Sequence, residues 1–219
     1  MKIEAVIFDM DGLMLDTEDL TAHLIKNTLE EYGYKFPDFI EWFYQNGVGV
    51  GRVNIIVKLK EMLKVDVDFD SFWERFSVCR RAYIKEHGVE AKPGLFELLD
   101  YCKANNLKMA IASSSALSSI KTKCEGAGLP LSYFSSIISS DHVSENKPNP
   151  QVYHAACISL GVSPDKALAL EDSDAGVESA YRAGLKVILI PDKKKNSPQA
   201  VKMAYRTVKT LKDVIPILK

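Results

Sequence analysis

"VIFDMDGLMLDTE", residues 6 to 18, is the stretch on which the fold turns. Val6, Ile7 and Phe8 close a continuous apolar run, and Asp9 and Asp11 follow at once, with Gly12 behind them. A run without polar alternation suits a strand covered on both faces, as strands of parallel sheets are. Two carboxylates where such a strand runs out either cap the next turn or hold positive charge between them. Gly12 suits a sharp backbone turn after the paired acids.

Runs of the same kind recur at residues 109–112, 136–140, 167–170 and 187–190. Helical spacing separates the later ones: Leu95, Leu98, Leu99 and Cys102, then Val152, Ala155, Ala156 and Leu160, then Val177, Ala180 and Tyr181. Strands alternating with helices predict an α/β fold, a doubly wound, Rossmann-like parallel sheet. Residues 16–87 break that rhythm with helix signals and no convincing strand. Asp16 or Thr17 can cap a helix whose first turn carries Glu18 and Asp19, where acids suit the helix dipole. Leu20, Leu24, Leu29 and Tyr32 give it an apolar face and Gly33 can end it. The expected organisation is therefore a Rossmann-like core of residues 1–15 and 88–219, with an all-helical domain of residues 16–87 inserted after the first strand.

The composition is that of an ordinary globular chain: 219 residues, 47% hydrophobic and 26% charged. At this length about 70% of the unfolded surface can be buried, so neither disulfide nor metal is needed merely to fold. Basic and acidic residues number 28 and 29, and that balance argues against nucleic acid or an anionic membrane as partner. Cys79, Cys102, Cys124 and Cys157 are scattered without metal-binding spacing, as reduced thiols of a cytoplasmic protein are. No stretch approaches the ~20 apolar residues of a membrane span. A monomer is expected.

In a doubly wound sheet, ligands bind beyond the carboxyl ends of the strands. Asp9 and Asp11 stand at one such end, Ser113 at the second, Lys147 in the loop after the third, and Glu171-Asp172 at the fourth. Two like charges ~4 Å apart repel by ~1 kcal/mol in water and ~4 kcal/mol at an effective dielectric of ~20. Carboxylates gathered in one crevice must take up protons or hold a cation. An all-oxygen ligand set favours a hard ion, and Mg²⁺ fits best.

These residues resemble a known family. FDMDGLMLDTE (8–18), ASS (112–114), KPNP (147–150) and LEDSDAGVESAYRAG (170–184) are similar to the four signature motifs of the haloacid dehalogenase superfamily, in the branch of β-phosphoglucomutase and small sugar-phosphate phosphatases. The resemblance implies that Asp9 is the nucleophile that forms an aspartyl-phosphate and Asp11 the general acid/base. It implies that Ser113 and Lys147 hold the transferring phosphoryl group. Mg²⁺ would be held by Asp9, Asp172 and the Asp11 carbonyl, with Glu171 in or beside the ligand set. The partner implied is a small phosphorylated metabolite: a sugar, polyol or nucleoside monophosphate.

The inserted helices should choose the substrate. NGVGVGRV, residues 46 to 53, resembles the cap segment that faces the active site in this branch, and its Arg52 aligns with an arginine that contacts the substrate's distal end. Glu18, Ser114 and Ser115 lie beside catalytic positions and are further substrate-binding candidates. β-Phosphoglucomutases carry a histidine early in the first cap helix; the matching position is Thr21, and His23 points to another face. Two mutase lysines correspond to Ala116 and a position near Cys79. These departures favour a phosphatase over the alternative, a phosphosugar mutase. A binding protein that had lost catalysis would show a substitution at Asp9, Asp11, Lys147 or Asp172, and none is substituted. Asn146 and Gln151 depart from the family's usual glycine and aspartate around KPNP. His87, His142 and His154 invite catalytic readings, but His154 reads as a surface or packed residue, and Asp141 and His142, in the loop leaving the third strand, read as a plain turn rather than a border of the site.

Overall fold

The computed structural model describes residues 2–48, 52–64 and 68–219, the side chains of residues 52–54 excepted. Six parallel strands form one sheet: β1 (Ala5–Phe8), β2 (Lys108–Ala112), β3 (Ser136–Ile138), β4 (Ala167–Glu171), β5 (Lys186–Leu189) and β6 (Arg206–Thr207). Their order is β3-β2-β1-β4-β5-β6. β1 lies at the centre, paired in register with β2 (Val6 opposite Met109) and with β4 (Val6 opposite Leu168). From β1 the chain winds first to one side and then to the other, so the switch point, and the crevice that accompanies it, is at the end of β1.

The two sheet faces differ in chemistry because strand side chains alternate. Val6, Phe8, Met109, Ile111, Leu168 and Leu170 face α5 (Leu95–Ala104) and α6 (Leu117–Gly126), in a cluster with Leu98, Leu99 and Ile120. Ala5, Ala110, Ala112, Ala167 and Ala169 face the other way, among Tyr153, Ala156 and Val177. Small strand residues on that face leave room for α7 (Gln151–Leu160) and α8 (Asp174–Arg182) to lie close against the sheet. All four β1 residues are fully buried, as a continuous apolar run requires.

Between β1 and α5 the described residues form four helices: α1 (Glu18–Glu31), α2 (Phe39–Asn46), α3 (Arg52–Leu63) and α4 (Phe69–His87). They bury their own apolar cluster, including Ile25, Leu29, Phe39, Phe43, Leu59, Phe72 and Phe76, which shares no residue with the two sheet clusters. Phe69, Phe72, Trp73 and Phe76 stand at helical spacing on one face of α4, with successive rings in edge contact. The N-terminus of α4 is capped by Asp68, which accepts from the amides of Asp70 and Ser71. This helical layer meets the sheet layer through charge as well as apolar contact. Asp19 of α1 accepts from Tyr44 of α2 and from Lys193, 2.8 Å away in the loop after β5.

The remaining helices are α9 (Pro198–Met203) and α10 (Ile215–Leu218). None of the helices described is long and apolar enough to cross a membrane. The strand β6 is not foreseeable from the sequence, because it has two residues and both are exposed. At α1 the expectation that Asp16 or Thr17 caps the helix is met only in position. Thr17 occupies the N-cap, but its hydroxyl makes no capping bond and instead donates to Asp11 Oδ1 at 2.7 Å.

Candidate active site

The chain leaves β1 directly into the site. The Asp9 amide donates to the Leu170 carbonyl at 3.0 Å, tying the first acid to the end of β4, where Glu171 and Asp172 follow. A tight turn then closes with Gly12 N to Leu15 O and Met14 N to Met10 O, both 3.0 Å. Gly12 takes φ 84°, and a Cβ there would collide with Asp172 Oδ2. Glycine is thus required for backbone conformation and for the close approach of Asp172.

Asp9, Glu171 and Asp172 each bring a carboxylate oxygen within 4.8 Å of the others, and all three residues are buried. Lys147 inserts among them. Its ammonium donates to Asp9 Oδ1 at 2.5 Å, Glu171 Oε1 at 2.6 Å and the Ala112 carbonyl at 2.9 Å, which uses all three of its N–H groups. Burial pushes the Asp9 carboxyl up to about 7, with Glu171 adding repulsion, against the pull of Lys147. Burial and the charges of Asp9 and Glu171 drive Asp172 well above the carboxylate range. Burial alone would lower the Lys147 ammonium, but its two carboxylate partners hold it above its ordinary value. One lysine therefore pairs with two of three buried carboxylates, and the excess negative charge calls for a further cation.

Glu171 is fully buried and heavily engaged. Besides Lys147 it accepts from the Tyr153 hydroxyl at 2.6 Å and the Ser173 hydroxyl at 3.3 Å. Its carboxylate also lies over Gly176 in the first turn of α8, where a Cβ would collide with it. Tyr153 presents its ring to the Lys147 ammonium, 5.1 Å from the centroid. The loop that delivers Lys147 is fixed from behind. Gln151 Oε1 accepts from the amides of Ser144 and Glu145 at 3.0 Å, and Asn149 Oδ1 accepts from Gln151 N.

Asp11, two residues on from Asp9, has the opposite surroundings. Its Oδ1 accepts from Lys123 Nζ at 2.5 Å and from Thr17, and its Oδ2 accepts from Ser115 Oγ at 2.8 Å. Lys123 also donates to Ser115 Oγ at 3.1 Å. Burial works to raise the Asp11 carboxyl, but the Lys123 charge and the three donors outweigh it and hold Asp11 well below the usual range. Asp11 is thus kept as an anion while Asp9 and Asp172 are strained by like charge.

The other sequence candidates fall as follows. Ser113 is buried at the end of β2, its amide donating to the Ile138 carbonyl and its Oγ accepting from Ser115 N at 3.0 Å. Ser115 turns its hydroxyl to Asp11, and Ser114 is exposed. Glu18 is half-buried and close enough for its charge to raise Asp172. The backbone of Arg52 begins α3, but its side chain, like residues 49–51, lies outside the described residues. His87, His142 and His154 are exposed, and the His142 ring bonds within its own turn to Ser139.

Sequence reasoning missed three residues. Lys123 sits on the buried face of α6, 2% exposed between Ile120 and Cys124, where periodicity alone calls for an apolar side chain. Tyr153 reads as core from its spacing, and only its hydroxyl reveals more. Arg80 of α4 donates to Ser119 of α6 at 3.2 Å, and its guanidinium, lowered by burial, feels the Asp11 charge. The position near Cys79 expected to have lost a mutase cation thus has a cationic neighbour in Arg80.

At the switch point of a parallel α/β core, an acid triplet is thus buried against one lysine. A family model described as "Haloacid dehalogenase-like hydrolase" matches residues 6–190. The "Phosphorylated carbohydrates phosphatase" of Thermotoga maritima is 31% identical over 186 residues, covering 85% of this chain and 84% of that protein. "Protein SUPPRESSOR OF QUENCHING 1, chloroplastic" of Arabidopsis thaliana is 32% identical over 193 residues, but the chain spans only 18% of its length. Among solved structures, CbbY from Rhodobacter sphaeroides, in complex with phosphate, superposes with a TM-score of 0.84 at 26% identity, over 97% of this chain and 96% of that one. The chain belongs to the haloacid dehalogenase-like hydrolase family.

Proposed function

We propose that this chain is a Mg²⁺-dependent phosphatase of small phosphomonoesters that works through an aspartyl-phosphate on Asp9. The observation that carries the reading is the buried triplet of Asp9, Glu171 and Asp172 with Lys147 lying against Asp9. We assign the helices of residues 16–87 as a cap over a core of residues 1–15 and 88–219. Phosphorylated sugars are the first substrates to test, since the printed name of the Thermotoga maritima relative points to phosphorylated carbohydrates.

An Asp9 carboxylate oxygen attacks phosphorus while the bond to the leaving oxygen breaks, and Asp11, once it has taken up a proton from solvent, hands that proton to the leaving oxygen. Water then attacks the same phosphorus, Asp11 takes its proton, and the Asp9 oxygen leaves. Splitting hydrolysis into two displacements is what a carboxylate nucleophile contributes. Ser113 and Lys147, which must turn one N–H from its present acceptors to the phosphate, hold the equatorial oxygens, since phosphoryl transfer asks chiefly for positioning and compensating charge. The oxygen donor set fits Mg²⁺: the carboxylates of Asp9 and Asp172 and the Asp11 carbonyl would hold it, whereas Glu171 is occupied by Lys147, Tyr153 and Ser173. Bound there, the ion supplies the positive charge that lets an anionic nucleophile approach an anionic phosphate.

The test is phosphate release from a panel of sugar, polyol and nucleoside monophosphates, with and without chelator. Activity should vanish in EDTA and return with Mg²⁺, and full turnover in chelator sinks the mechanism. A glucose-1-phosphate isomerisation assay run in parallel tests the mutase alternative, which Arg80 beside Cys79 keeps in view.

A further inference from the structure

Lys123 has no place in the mechanism above, yet it is the most anomalous side chain in the fold. It is 2% exposed on a helix whose adjacent buried residues are Ile120 and Cys124. A buried ion pair is weak evidence for stability, because desolvating two charges offsets most of their attraction, and apolar residues in its place often stabilise equally well. A lysine in this position therefore calls for another explanation, and its contacts supply one. The ammonium reaches Asp11 Oδ1 at 2.5 Å and Ser115 Oγ at 3.1 Å. Ser115 Oγ reaches Asp11 Oδ2 at 2.8 Å, and Thr17 reaches Oδ1 at 2.7 Å.

Lys123, Ser115 and Asp11 thus form a closed ring of contacts in which both carboxylate oxygens are held, from α6 on one side and from the N-cap of α1 on the other. Thr17 and Ser115 alone would leave each oxygen with one neutral, rotatable donor. Building on the phosphatase reading, we propose that Lys123 is a positioning residue that fixes the Asp11 carboxylate before any substrate arrives. No second anionic group on the substrate is then required to set the acid/base in place. The substrate class that follows is the phosphomonoester with an uncharged remainder, processed as readily as a bisphosphate.

The test is Lys123→Met, which keeps the length and the apolar stem and removes the ammonium, read in pre-steady-state kinetics with Mg²⁺. p-Nitrophenyl phosphate has a leaving group that needs no proton; glycerol phosphate has one that does. With the nitrophenyl ester the variant should keep its burst of nitrophenolate, while the steady phase slows by about 10- to 100-fold because water activation still requires Asp11. With glycerol phosphate the first turnover itself should slow by a comparable factor. Equal loss of burst amplitude with both substrates, or unchanged kinetics with both, overturns the assignment. If Lys123→Met does not fold, as judged by its melting curve, Ser115→Ala breaks the same ring from the other side, and the same selective pattern is required of it. Asp9→Asn separates the two levels of reading: turnover retained there sinks the phosphatase mechanism itself, whereas an inactive Asp9→Asn beside a normal Lys123→Met sinks only the role of Lys123.

Discussion

Asp9 and Asp11 are two residues apart on one strand exit, yet the fold treats them in opposite ways. Asp9 shares a single lysine with Glu171 in a pocket that also holds Asp172, and its carboxyl rises to about 7. Asp11 has a lysine and two hydroxyls to itself and stays far more acidic. Around Asp9 there are too many anions for the cations present; around Asp11 there are ample donors for one anion. In carboxylate pairs that divide acid and nucleophile duties it is the acid whose pKa is raised, so the nucleophile role proposed for Asp9 requires a cation in the triplet to bring its carboxyl back down. Sequence proximity therefore says nothing about electrostatic likeness, which is set by which helix each side chain turns toward.

The sharpest way to break this contrast is Asp9→Asn. Turnover should fall to background in a phosphate-release assay while the circular dichroism spectrum stays native, and residual turnover near wild type would remove Asp9 from the chemistry. Gly12→Ala should come next in size. The added methyl meets Asp172 Oδ2 at a backbone φ of 84°, so the Asp172 carboxylate must shift from its present place in the triplet. Activity should drop steeply and the apparent Mg²⁺ requirement should rise, both measurable in one metal titration.

A smaller effect, and a finer test, is the stability of the metal-free protein against pH. The folded pKa of Asp9, about 7, lies above its ordinary 3.8. A raised carboxylate contributes stability that is present at low pH and lost as pH climbs through the folded value. In chelator, the gap between the melting temperatures of Asp9→Asn and wild type should therefore widen in favour of the variant from about pH 4 to above 7. Asp11→Asn should show no such gain at neutral pH, because its depressed carboxylate stabilises the fold there. If both variants behave alike, the contrast fails. Smallest of all, Tyr153→Phe removes one donor from Glu171 and keeps the ring against Lys147. A loss of about 1–2 kcal/mol in urea unfolding is expected, since Glu171 retains Lys147 and Ser173.

Much of this was readable in the residues. The strands β1, β2, β4 and β5 announce themselves as continuous apolar runs because each is covered on both faces. Asp9, Lys147, Glu171 and Asp172 converge as strand-end logic expects. Hidden were the features that depend on where a side chain points. Lys123 falls on an apolar helix stripe and looks like an interruption of it, since no one-dimensional pattern links residue 123 to residue 11. Thr17 has the sequence position of a helix cap and spends its hydroxyl on Asp11 instead. β6 pairs through two exposed residues, too few to leave a periodic trace.

The bond between Lys193 and Asp19 joins the loop after β5 to the first inserted helix, with 31% and 42% of the two side chains in solvent. Exposed pairs of this kind contribute little and are weakened by dissolved ions. Under the proposed cap, added salt should therefore alter KM only slightly and leave kcat unchanged in the phosphate-release assay, because Asp9 and Asp172 are buried away from those ions.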